Sequence, residues 1–123
     1  MICAIDIETF GLDASRFRMG CLVSERSSKP ELFFDKERLW KRVIELGKSE
    51  AKRGKMLSVY SHNASFDFYG YADLRDRNLH YFSHKPFIVS YNIGDKEVIK
   101  FLDTMSLFRM SLRDMGGDRD WET

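Results

Sequence analysis

The feature that most limits what this chain can fold into is the way its opening apolar run ends: Ile2, Cys3, Ala4 and Ile5 lead straight into Asp6, Ile7 and Glu8. The run from Met1 to Glu8 reads as a buried strand. The two-residue period of a strand then puts Asp6 and Glu8 on one face and Ile7 on the other. Carboxylates held close together disfavour each other's ionisation unless cations neutralise them. A second acidic element, His62-Asn63-Ala64-Ser65-Phe66-Asp67, opens an aromatic stretch much later in the chain. A fold that carries Asp67 to Asp6 and Glu8 assembles most of a divalent-metal site suited to phosphate chemistry.

The pattern between and beyond these motifs predicts a single α/β domain over residues 1–123. Phe17 to Val23 and Glu31 to Phe34 make two further strands, and with the first they form a three-stranded antiparallel meander. Asp35 is a good N-cap for a helix running to about Arg53, with Leu39, Trp40, Val43, Ile44 and Leu46 at helical spacing and Gly54 as its stop. Met56 to Tyr60 is a short strand that feeds His62-Asn63 and a helix from about Ser65 to Arg75. Such a strand-to-helix junction commonly binds ligands. Leu79 to Phe82, Phe87 to Ile93 and Glu97 to Met105 follow as strands, the last two joined by a Gly94-Asp95 turn, and Ser106 to Met115 opens a last helix.

Composition agrees with a globular domain: 43% hydrophobic and 32% charged residues, with a net charge of +1 that leaves room for an acidic pocket on a basic surface. The basic outer face of the first helix, from Lys36 to Arg53, reads as solvated surface. Cys3 and Cys21 sit in apolar strands and read as buried thiols rather than a disulfide framework. No apolar run reaches the roughly 20 residues of a membrane span, so the expected setting is soluble and intracellular. The last residues, Gly116 to Thr123, hold a turn signal with no apolar element after it, and the expectation is a chain cut before its fold closes.

Two-metal hydrolysis of a phosphodiester needs carboxylates that bridge and hold ions roughly 4 Å apart. Asp6, Glu8 and Asp67 supply such oxygen ligands, which suit Mg2+ or Mn2+ rather than zinc. No Cys or His cluster has zinc-like spacing.

With these residues in that order the chain resembles the 3′ to 5′ exonuclease domain of family-B DNA polymerases, particularly the protein-primed enzymes of phages, viruses and linear plasmids. Asp6-Ile7-Glu8-Thr9 is similar to the family's first exonuclease motif, and Tyr60-Ser61-His62-Asn63-Ala64-Ser65-Phe66-Asp67 to its second. Phe101-Leu102-Asp103-Thr104 and Ser111-Leu112 resemble the strand and helix that follow. The resemblance covers nearly the whole chain. It implies an RNase H-like mixed sheet with flanking helices, and a proofreading nuclease that trims single-stranded DNA 3′ ends with two Mg2+ or Mn2+ ions. Asp6 would bridge both ions, Glu8 would hold the ion that activates water, and Asp67 would hold the second. Thr9, Tyr60, His62, Asn63 and Phe66 would contact the DNA end. The partners implied are the remainder of a DNA polymerase and a terminal protein primer.

The family also requires a fourth carboxylate in a later Tyr-x-x-x-Asp motif. Tyr69 to Asp73 fits the letters, yet on one continuous helix Asp73 would lie roughly 9 Å along and about 120° around from Asp67. Asp114, Asp118 and Asp120 come too early and lack the tyrosine, and Asp103 reads as a structural or supporting residue. The expectation is an N-terminal fragment that stops before this motif. The alternatives are a single-stranded-DNA-binding module without catalysis and an RNase H-like scaffold for protein contacts.

Overall fold

A computed structural model describes residues 1–11, 16–84 and 86–104. In chain order the elements are β1 (Ile2–Thr9), β2 (Phe17–Ser24), β3 (Glu31–Phe33), α1 (Lys36–Lys52), β4 (Leu57–Ser61), α2 (Ala64–Tyr71), β5 (Leu79–His84), β6 (Phe87–Ile93) and β7 (Lys96–Asp103). The strands form one mixed sheet in the order β3-β2-β1-β4-β7-β6-β5. The α/β class and the opening antiparallel meander follow the sequence expectation. After the meander, α1 carries the chain back so that β4 pairs parallel to β1, and β7 pairs parallel to β4. Parallel pairing demands such a crossover. β5, β6 and β7 then form antiparallel pairs at the far side.

Both helices pack on one face of the sheet, where Cys3, Ile5 and Ile7 of β1 join Leu57, Val59, Ile99 and Phe101 in one core. Trp40 of α1 is the hub. Its ring stacks on Phe101 at 5.7 Å and meets Tyr91, Tyr71 and Phe68 at 6.1, 6.3 and 6.4 Å. Gly47 permits α1 to approach β7, because a Cβ there would stand 2.4 Å from Cγ1 of Ile99. Asp35 caps α1 as expected, its carboxylate accepting from the Glu37 amide at 2.9 Å. Gly54, at φ +72°, turns the chain out of the helix in the left-handed conformation that glycine adopts without strain.

The structure alters two of the expectations. β1 is buried on one face only: Ile2, Ala4, Asp6 and Glu8 are exposed on the face without helices. α2 ends at Tyr71 rather than Arg75, because Ala72 is extended and the Asp73 and Asp76 side chains accept from the amides of Arg75 and Asn78. Such aspartate turns offer the backbone an alternative to the helix. Asp73 therefore lies beyond the helix that holds Asp67. Glu50, near the end of the basic helix α1, is fully buried. Its carboxylate lies 3.1 Å from the Met1 ammonium, 2.9 Å from Arg26 and 3.7 Å from Arg53. Burial opposes its charge, but these cations outweigh it and hold the carboxyl below its ordinary range.

Cys3 and Cys21 are free thiols. The expected helix from Ser106 to Met115, with Ser111 and Leu112, and the aspartates at 114, 118 and 120 fall outside the described residues. Among the described residues, no helix is long and apolar enough to cross a membrane.

Candidate active site

The site forms where parallel strands part. β1 pairs with β4 only from Ile2 to Ala4, whereas β4 stays paired with β7 as far as Ser61 and Asp103. Asp6, Ile7 and Glu8 thus extend past the last β1–β4 pair, at the carboxyl end of the parallel strands. That end is where open α/β sheets usually bind ligands. The chain leaves β4 through His62 and Asn63 and enters α2 at once, which puts Asp67 in the first helical turn at this end of the sheet.

Asp67 is 5% exposed. Its carboxyl is raised from 3.8 to about 6, first by burial and then by the negative charge of Asp6, with Asp103 adding to the effect. A hydrogen bond from the Ile7 amide and the neighbourhood of His62 act the other way. The strand end, the helix start and β7 therefore bring Asp6, Asp103 and His62 within electrostatic reach of Asp67. Tyr71, one turn beyond Asp67, belongs to the same neighbourhood. Its hydroxyl is hydrogen-bonded to Ser61 and pushed up by burial and by the Asp67 charge.

Glu8 shares the Asp6 face but leans toward Arg18 of β2, at 3.9 Å. Thr9 is half-buried and donates its hydroxyl to the Gly11 carbonyl at 2.8 Å, in the turn after β1. Tyr60 is half-buried on the face without helices, between its ladder partners Ala4 and Leu102. His62 and Asn63 are exposed at the junction. Phe66 is half-buried and stands outside the core cluster, so ordinary core packing does not account for it.

Asn63 does not cap α2 with its side chain. Asp103 accepts from the Ala64 amide at 3.4 Å instead, and Thr104 Oγ1 lies 3.4 Å from Nδ1 of His62. The end of β7 thus touches the β4–α2 junction at both His62 and Ala64. The sequence held a signal for this: Phe101-Leu102-Asp103 repeats at the end of β7 the apolar-run-then-acid pattern of β1. Tyr71 was also legible, standing four residues from Asp67 on the same helical face.

Among the described residues, no three His, Cys, Asp or Glu side chains converge closely enough to hold a metal ion as the side chains stand. The chain matches no family model, no curated protein and no solved structure.

Proposed function

We propose that this chain is a metal-dependent 3′ to 5′ exonuclease domain of the family-B DNA polymerase type, acting on single-stranded DNA ends. The observation that carries this reading is Asp67: a buried carboxylate in the first turn of a helix, whose ionisation is opposed by burial and by the charge of Asp6. A group placed at such cost at the carboxyl end of parallel strands is a functional-site candidate. The sheet order, with an antiparallel meander followed by parallel β4 and β7, supports an RNase H-like arrangement.

The donors suit hard divalent cations, since Asp6, Glu8 and Asp67 offer carboxylate oxygen and the accumulated negative charge favours Mg2+ or Mn2+. When bound, such ions supply Lewis-acid stabilisation of the attacking and leaving oxygens. The chain's own residues do the rest. The Ile7 amide orients the Asp67 carboxyl, while Asp103 and Thr104 fix the junction from which α2 springs. His62 and Asn63 offer exposed donors and acceptors to a sugar–phosphate end, and Phe66 offers a ring to its terminal base. Polymerisation itself would belong to the remainder of a longer polymerase, with a terminal protein as primer, at intracellular replication sites.

A 5′-labelled oligonucleotide incubated with the protein and Mg2+ or Mn2+ tests the reading. A ladder of shortened products is expected, lost in Asp6→Ala and Asp67→Ala. No ladder at any concentration of either metal would sink catalysis by this chain. The lean of Glu8 toward Arg18 favours one other reading, a module that holds single-stranded DNA without cutting it. That reading predicts binding weakened by Asn63→Ala and Phe66→Ala with no turnover.

A further inference from the structure

A cavity of about 390 Å³ lies where β1 begins, at the opposite end of that strand from Glu8 and the candidate active site. The loop between β2 and β3 forms one wall, and the stretch of α1 from Arg42 to Glu50 forms the other. Its size falls within the range of ~300–1,000 Å³ usual for small-molecule pockets. The lining carries four cations, the Met1 ammonium, Arg26, Lys29 and Arg42, against two acids, Glu31 and Glu50. Just outside it, Arg53 beside Glu50 and the exposed Glu25 beside Met1 balance each other, at 3.7 and 3.9 Å. Exposed Glu45, 3.8 Å from Arg42, is the one further acid in reach, so positive charge stays in excess.

These cations are fixed in place without being satisfied. Arg26 meets the fully buried Glu50 through Nη2 alone, at 3.1 Å from Oε1 and 2.9 Å from Oε2. Its Nε and Nη1 have no partner among the described residues. Arg42 donates from Nε to Glu31 at 2.9 Å and sets Nη1 near Glu45, which leaves Nη2 over. The backbone of Lys29 is tied to the Ser27 hydroxyl by two bonds of 3.3 Å, whereas its exposed ammonium has no partner among the described residues. A guanidinium anchored at one nitrogen loses little further freedom when its other donors bind, and its fork suits phosphate oxygens. Pro30 and Leu46 add apolar surface to the same lining.

We propose that this cavity binds a small phosphate monoester. A phosphoryl group brings three acceptor oxygens and close to two negative charges, which match the open donors of Arg26, Lys29 and Arg42 and the excess of cations. A carboxylate brings fewer of both. The organic part of the ligand rests on Pro30 and Leu46. None of these residues belongs to the carboxyl end of the parallel strands, so the proposal does not depend on the nuclease reading.

The test is isothermal titration calorimetry with phenyl phosphate, in phosphate-free buffer containing EDTA, with sulfate and phenylacetate as comparison ligands. Phenyl phosphate is expected to bind about tenfold or more tightly than either. Lys29→Glu reverses an exposed charge that holds nothing in the fold, so it should weaken phenyl phosphate about tenfold or more at an unchanged melting temperature. Arg26→Lys keeps a cation beside Glu50 but removes the fork, and the same direction is expected. Asp6→Ala should bind phenyl phosphate as the wild type does.

Unchanged affinity in both Lys29→Glu and Arg26→Lys would overturn the proposal, as would sulfate or phenylacetate binding as tightly as phenyl phosphate. No binding of phenyl phosphate at millimolar concentration would overturn it too. Binding lost in Asp6→Ala but intact in Lys29→Glu would move the site to the other end of the sheet and overturn this one. Tight binding of a phosphoserine peptide with none of phenyl phosphate would overturn it in favour of a protein partner.

Discussion

Asp103, the last residue of β7, accepts a hydrogen bond from the amide of Ala64, the first residue of α2, at 3.4 Å. The helix that carries the buried Asp67 is therefore capped by a neighbouring strand rather than by Asn63, the residue that precedes it. The orientation of Asp67 is tied to the β4–β7 ladder, which pairs Ser61 with Asp103.

Asp103→Ala should lower stability by about 1 kcal/mol, the usual cost of a lost helix cap. Asp103→Asn keeps a side-chain oxygen that can accept the same bond and should lose much less. Urea unfolding of the two variants checks this. Equal losses would mean that the charge of Asp103, not its acceptor oxygen, holds the junction.

Asp67 makes stability depend on pH in a direction opposite to that of most carboxylates. Its folded-state value of about 6 lies above the ordinary 3.8, so between about pH 4 and 6 the folded protein holds a proton that the unfolded chain has released. Stability attached to this group is full below about pH 4, is lost as pH rises through 6, and stays lost at pH 8. Asp67→Asn should therefore stabilise the metal-free protein at pH 8 by about 1–2 kcal/mol, after allowance for solvent screening, and have little effect at pH 4. Denaturant melts in EDTA at both pH values measure the difference. Added Mg2+ should raise the melting temperature of the wild type at pH 8 but not that of the variant.

Cys21 sits directly opposite Asp6 in the β1–β2 ladder, on the face without helices, and is half-exposed. Cys3 is buried, and burial pushes its thiol up to about 11, which keeps it protonated and unreactive. Iodoacetamide should thus modify Cys21 alone, as read by mass spectrometry of peptides. The added group beside Asp6 should cut any metal-dependent cleavage several-fold, and Cys21→Ser should be resistant. Modification of Cys3 first would contradict its burial, and full activity after alkylation of Cys21 would show that Asp6 does not act on this face.

Gly47 is needed for space rather than for backbone freedom. A methyl group there would meet Ile99, fully buried on β7, at 2.4 and 2.5 Å. In an exposed helix, glycine to alanine gains up to about 1 kcal/mol. Here Gly47→Ala should instead destabilise by about 1–2 kcal/mol net, since overpacking of a full core costs about 1–3 kcal/mol. A thermal melt above that of the wild type would show that α1 can move away from the sheet at no cost.

Local and periodic features were legible in the chain alone. The β1 strand with Asp6 and Glu8 on one face, the Asp35 cap, the Gly54 stop and the Gly94-Asp95 turn all follow from side-chain period and backbone preference, which depend on neighbours along the chain. The end of α2 was not legible in this way. Apolar spacing continued toward Arg75, and the competing aspartate turns at Asp73 and Asp76 ended the helix earlier.

Only the tertiary structure decided which acids share an electrostatic neighbourhood. β1 stops pairing with β4 at Ala4, which leaves the Ile7 amide free to bind Asp67 and brings the Asp6 charge to bear on it. Glu8, on the same face of the same strand, is drawn to Arg18. Asp103 joins the site because β7 lies beside β4, far away in the chain. The burial of Glu50 likewise depends on Met1 and Arg26, which meet it only when the sheet packs on α1. Strand order and the point where a ladder ends are set by packing across the whole domain, and no local pattern encodes them.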